Sequence, residues 1–160
     1  METAKNMKNN FTIRIPEEAD IEKIIDLFVA EVEAGRMLAR DPEKMKHELD
    51  DWRVAVDGDL IVGCVSLVFF NPTICEVRSL AVAETHRSNG LGKKLVESAL
   101  DLAKERQADQ VLTLTRAAHL FENLGFVVDD INNFPKKVAK DCQNCPFIDC
   151  CDEIALLYTF

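Results

Sequence analysis

At 160 residues, 48% of them hydrophobic, the chain fits one domain with a single core. A formal charge of −9, from 19 Lys and Arg against 28 Asp and Glu, argues against a nucleic-acid platform, so anionic ligands must be met by local basic clusters. No apolar run approaches the ~20 residues that span a bilayer and Met1–Asn10 has no signal-peptide core, so the expectation is a soluble, cytoplasmic protein with a flexible tail over 1–10 and one domain over 11–160.

Phe11-Thr12-Ile13-Arg14-Ile15 alternates apolar and polar residues up to Pro16, the pattern of a half-buried strand. Asp20 is placed to cap a helix whose Ile21, Ile24, Ile25, Phe28 and Val32 recur at helical spacing, with Gly35 as its stop. A second helix starts from Asp41 as cap and Pro42 in its first position, burying Met45 and Leu49. Trp52–Val56 and Leu60–Phe70 read as strands around the hairpin signal Asp57-Gly58-Asp59, and Asn71-Pro72 breaks the chain before an antiparallel strand over Thr73–Val82. After a glycine-containing turn, Leu91, Leu95, Ala99, Leu102 and Ala103 form the apolar stripe of a helix that leads to Val111–Thr115, a βαβ crossover with parallel strands. A shorter helix, about Ala117–Leu124, precedes Phe126–Val128, and Ile154–Thr159 reads as the last strand.

The turn His86-Arg87-Ser88-Asn89-Gly90-Leu91-Gly92-Lys93-Lys94 carries the clearest chemistry. Amides at a helix start have no intrahelical partner, and with the positive end of the helix dipole they make an anion site that Gly90 and Gly92 allow a ligand to approach. Arg87, Lys93 and Lys94 add charge. The pattern Arg-x-x-Gly-x-Gly is one glycine short of the dinucleotide fingerprint, which makes a Rossmann reading poor.

These residues resemble motif A of the GNAT-type N-acetyltransferases. Glu76-Val77-Arg78-Ser79-Leu80-Ala81-Val82 is similar to the strand before the phosphate turn in that family, and Leu120-Phe121-Glu122-Asn123-Leu124-Gly125-Phe126 to its later Phe-Tyr-Glu-x-Leu-Gly-Phe element. Lys140-Asp141-Cys142-Gln143-Asn144-Cys145-Pro146 and Cys151-Asp152-Glu153-Ile154-Ala155 resemble the tail of short bacterial N-acetylglutamate synthases. The resemblance implies an α/β GNAT fold, with a mixed central sheet of about six to seven strands and helices on both faces. It implies acetyl-coenzyme A as co-substrate, its diphosphate on Arg87, Ser88, Asn89, Gly90, Leu91, Gly92 and Lys93. Backbone groups of Leu80, Ala81 and Val82, at a bulge of the central strand, would take the pantetheine arm and thioester oxygen. Phe121 stands beside the coenzyme where many members place a tyrosine that protonates the departing thiolate, which leaves the general acid unassigned.

Glu76 is the candidate general base, placed by period two on the same face as Arg78. The competing reading is an exposed strand glutamate paired with Arg78 or a lysine. Cys75 next to it raises an acyl-cysteine route, although alternation points the two side chains to opposite faces. An enzyme selecting glutamate answers two carboxylates with arginines, and Arg40, Arg78 and Arg116 are the candidates, each set against a merely solvated charge. His119 reads as a space-filling helix residue and His86 as surface. Lys136, Lys137 and Lys140 form a basic patch.

Cys64 and Cys75 read as buried small hydrophobes. Cys142-x-x-Cys145 followed by Cys151 has metal-ligand spacing but no evident fourth ligand, so a structural zinc is the weaker reading beside reduced thiols.

The expected activity is therefore transfer of acetyl to the α-amine of an amino acid, L-glutamate first, by direct attack in a ternary complex. That reaction opens arginine biosynthesis. Partners would be these small molecules, with no nucleic acid or membrane, and a homodimer is compatible with the chain. The alternatives are an acetyltransferase for another small amine or a protein amine, and a non-catalytic coenzyme A sensor or metal-binding module.

Overall fold

The elements follow one another as β1 (Thr12–Arg14), α1 (Ile21–Glu33), α2 (Pro42–His47), β2 (Trp52–Asp57), β3 (Leu60–Phe69), β4 (Ile74–Val82), α3 (Leu91–Glu105), β5 (Gln110–Thr115), α4 (Ala118–Glu122), β6 (Val127–Asp129) and β7 (Ile154–Thr159). The computed structural model describes residues 11–134, apart from positions 36 and 38, and residues 153–160. The strands form one seven-stranded sheet in the order β1-β2-β3-β4-β5-β7-β6. β1 lies antiparallel to β2, β4 parallel to β5, and β7 antiparallel to both β5 and β6. The mixed sheet and the βαβ crossover expected from the sequence are both present.

Two compact units divide the chain: residues up to Val65 with Leu80–Leu95, and Ser66–Ser79 with Val96–Phe160. In the first, Ile21, Ile24 and Phe28 of α1 share a core cluster with Met45, Trp52, Val54 and Cys64. Ile24 and Phe28 are four apart, so they stack on one helix face, and each fully buried side chain of this size stabilises the fold by roughly 1.5–3 kcal/mol. Asp41 caps α2 as expected, its Oδ1 accepting from the Glu43 amide at 3.0 Å.

Asp20 does not cap α1. Its carboxylate turns back to accept from the Glu17 amide (2.8 Å) and the Arg14 guanidinium (2.7 Å), closing the 3-10 turn Glu18–Asp20 that precedes the helix. A nearby cation outcompetes a helix amide for one short carboxylate. Leu49 lies not in α2 but in a 3-10 turn after it, though it still packs on the same cluster.

At Gly63 on β3, a Cβ would stand 2.8 Å from Leu95 Cδ1 and 3.3 Å from the Ala81 carbonyl oxygen, so only glycine lets strand and helix side chains approach so closely. The second unit buries Leu112, Phe134 and Ala155 with Phe70, Leu114, Ile131 and Leu157 against them. Beside them runs an aromatic chain in which Phe121 meets Phe126, Phe126 meets Tyr158, and Tyr158 meets Phe160, with centroids 5.1–5.4 Å apart. Among the described residues, no helix is long and apolar enough to cross a membrane.

Candidate active site

β4 carries the candidate base. Glu76 and Arg78 share a face as period two requires, with Nη2 of Arg78 3.3 Å from Oε2 of Glu76. Glu76 is buried at 3% exposure, which corrects the picture of an exposed strand glutamate while keeping its arginine partner. Cys75, on the opposite face, directs its thiol toward the Gln110 carbonyl at 3.9 Å. Burial pushes that thiol up to about 12; Arg106 lowers it in part and Glu76 raises it further. A protonated thiol is a poor nucleophile, so the acyl-cysteine route lacks its attacking group. Cys64, likewise buried, is also pushed up to about 12.

The strands beside β4 determine what its middle does. β4 and β5 pair from Ile74↔Gln110 to Val77↔Thr113, and β4 then runs on to Val82. On the β3 side, the Phe70 amide donates to Ile74 O, whereas the Ala83 amide donates to Val62 O, a pairing with one residue more on the β4 side. The extra residue fits Ser79, which is buried and has φ 57°, the left-handed backbone of a bulge. Glycine is the usual occupant of such a conformation, so a serine here gave no sequence signal.

The phosphate turn opens at Ala83, where a 3-10 turn over Glu84–His86 leads to Ser88 at φ 70° and Gly90 at φ 75°. Gly90 O accepts from the Lys94 amide (3.2 Å), the first bond of α3, so the amides of Leu91, Gly92 and Lys93 lie ahead of the helical ladder. A Cβ on Gly90 would meet no atom within 4 Å. Open space beside amides at the positive end of a 15-residue helix suits a diphosphate. Arg87 Nε donates back to Val82 O (3.2 Å), so that carbonyl is engaged by the chain itself. Lys94, in the first turn of α3, holds its ammonium 5.2 Å over the Phe11 ring. His86 is not a plain surface residue: its Nε2 lies 2.8 Å from Asp57 Oδ2 and its Nδ1 2.8 Å from Thr85 Oγ1, which ties the turn to the end of β2.

Arg40, in the first unit, is half-buried and close enough for its charge to act on Cys64. Arg116, in the second, follows β5 and pairs with Glu153 at 3.9 Å. His119 is exposed on α4 and fills no core space. Phe121, on α4, is 2% exposed with its ring against Phe126. Cys142, Cys145 and Cys151, with the lysine patch at 136, 137 and 140, lie outside the described residues; among those described, no cluster of three or more His, Cys, Asp or Glu is placed to hold a metal.

Residues 21–126, from α1 through the phosphate turn to the end of the Leu-Gly-Phe element, match the family model described as acetyltransferase (GNAT) family. The chain belongs to that family. An N-acetyltransferase of Chlorobaculum tepidum, CT2212, is 34% identical over 146 residues, covering 91% of this chain and 92% of that one. An amino-acid acetyltransferase of Pasteurella multocida is 25% identical over 137 residues, covering 84% of this chain, which spans only 31% of that longer protein. N-acetylglutamate synthase from Neisseria gonorrhoeae, in complex with coenzyme A and N-acetyl-glutamate, superposes with a TM-score of 0.82 at 22% identity, covering 93% of this chain and 35% of that one. This last likeness concerns the fold.

As a GNAT acetyltransferase, the chain is an acetyl-coenzyme A-dependent N-acetyltransferase. In such an enzyme, the central-strand bulge that the resemblance implied falls at Ser79, and the features missed in the sequence were the His86–Asp57 tie and the hydroxyls of Ser66 and Thr113 that touch β4. Apart from the two residues of the tie, their side chains are small and common, with no motif to betray them.

Proposed function

We propose that this acetyltransferase acts on the α-amine of an amino acid, L-glutamate first, as one cytoplasmic domain over 11–160 and as the opening step of arginine biosynthesis. The observation that carries the reading is the buried Glu76–Arg78 pair on the strand that runs into the phosphate turn. Glu76 accepts the proton of the ammonium, directly or through one water; the amine attacks the thioester carbonyl, and the tetrahedral intermediate collapses by breaking its C–S bond, releasing coenzyme A as a thiolate that takes a proton from water. Backbone groups of Leu80, Ala81 and Val82, beyond the bulge, hold the pantetheine arm and the developing oxyanion, fixed dipoles being well suited to that charge. The amides of Leu91, Gly92 and Lys93, with Arg87, Ser88, Asn89 and Gly90 around them, clasp the diphosphate.

Arg116 serves the substrate carboxylate. Its contact with Glu153 at 3.9 Å is part-exposed, and a substrate carboxylate would offer the guanidinium a group of the same charge and shape. Arg40 is the second candidate. Similarity to amino-acid acetyltransferases supports this choice of substrate. A second reading, transfer to another small amine, is favoured by one observation: Arg78 is engaged by Glu76 instead of turned toward a substrate.

Coenzyme A release from acetyl-coenzyme A, measured with free amino acids, polyamines and a lysine peptide, separates the readings. We expect glutamate-dependent turnover that falls about 10²–10⁴-fold in Glu76→Gln. In Arg116→Ala the loss should fall mainly on KM for glutamate. Turnover with polyamines alone would move the assignment to the second reading, and coenzyme binding without any turnover would make the chain a sensor.

A further inference from the structure

Two buried hydroxyls meet β4 from its two neighbours. Thr113 Oγ1, from β5, donates to Val77 O at 3.2 Å, and Ser66 Oγ, from β3, donates to Arg78 O at 3.2 Å. Both side chains are almost completely buried, at 2% and 3% exposure. The carbonyls they hold belong to consecutive residues, and the next residue is Ser79 with φ 57°. Thr113 is also the last β5 residue paired with β4, so its hydroxyl acts where the ladder stops. A bulge persists only where its surroundings over-determine it, and each hydroxyl adds a side-chain donor to a carbonyl just ahead of Ser79.

We propose that Ser66 and Thr113 are positioning residues for acetyl transfer: they pin the carbonyls of Arg78 and Val77 from opposite sides and so set where β4 turns through Ser79 to aim the amides that follow. The inference rests on the proposed function, because it assigns those amides to the thioester. Both hydroxyls are buried and directed at backbone carbonyls. The pins act through the backbone, so their loss misdirects the amides without removing one, and a misplacement on the order of 1 Å costs as much as about 10²-fold.

The test uses Ser66→Ala and Thr113→Val, which delete one hydroxyl each and keep the volume close to that of the natural side chain. Thr113→Ser restores the hydroxyl. In the coenzyme-free full chain, the backbone amide resonances of Ser79, Leu80 and Ala81 should shift in both deletions and return in Thr113→Ser. In turnover, kcat should fall about 10- to 100-fold while KM for acetyl-coenzyme A stays within about twofold, since the diphosphate clasp is untouched. Unchanged amide resonances overturn the proposal, and so does an unchanged kcat in variants of an active wild type, or a lost kcat that Thr113→Ser fails to rescue. A wild type with no affinity for acetyl-coenzyme A would sink the proposed function instead, with the resonances still deciding whether the hydroxyls pin the strand.

Discussion

At the residue scale, burial and partner decide what a titratable group can do. Asp20 is the clearest structural case: its hydrogen bond from Arg14 holds the carboxyl below the usual carboxylate range, against the opposing effect of burial and with help from the Glu17 amide. A depressed value in the folded state adds stability that is present above the unfolded pKa of about 3.9 and lost as pH falls through the folded one. Asp20→Asn should therefore cost about 1–2 kcal/mol at pH 7, and urea unfolding should show the gap to wild type narrowing steadily as pH is lowered below the unfolded value of about 3.9. Cys75 gives the opposite lesson. Adjacent in sequence to the candidate base, it looked like a possible nucleophile, yet its thiol is buried and stays protonated. Cys75→Ala should keep kcat within about twofold, and incubation with acetyl-coenzyme A should leave no acetyl on the wild-type chain by mass spectrometry. Exposure along a strand was the part the sequence hid, because alternation fixes the face a side chain takes and says nothing about what covers it.

At the element scale, the amphipathic and alternating segments were legible, since each depends on a period that the residues themselves display: α1 and α3 by their stripes, β2 and β3 by the Asp-Gly-Asp hairpin. The bulge in β4 came from the family resemblance and its place at Ser79 from the structure alone, for that place depends on what flanks the strand and uses a serine where glycine would have announced it. The capping of α1 failed for a related reason, as Arg14 lies six residues away in sequence and claims the Asp20 carboxylate through space. Two glycines now separate two kinds of constraint. Gly63→Ala must push Leu95 aside in a full core and crowd the Ala81 carbonyl, so it should lower stability by about 1–3 kcal/mol, read as a drop in Tm of about 2–4 °C for each. Gly90→Ala has open space but the wrong backbone, at a cost of about 1–2 kcal/mol, and its methyl would enter the space assigned to the diphosphate. Steady-state kinetics should then show KM for acetyl-coenzyme A raised in Gly90→Ala.

At the scale of the whole molecule, an acidic chain has to hold a polyanion. With a net charge of −9, long-range repulsion works against the coenzyme, and the proposed site answers it locally with amides and a few cations at one helix start. That division makes a thermal measurement informative, because a ligand that binds only the folded state at about 100 times its Kd adds about 2.7 kcal/mol. For a chain of this length the increment corresponds to a rise in Tm of about 5–10 °C with acetyl-coenzyme A. S-Acetylpantetheine presents the same thioester and arm without the diphosphate. If the turn at Gly90 supplies most of the affinity, the fragment at equal concentration should move Tm by less than about 2 °C. A shift as large as that of the intact coenzyme would place the grip on the pantetheine arm along β4 and leave the helix start without its assigned ligand.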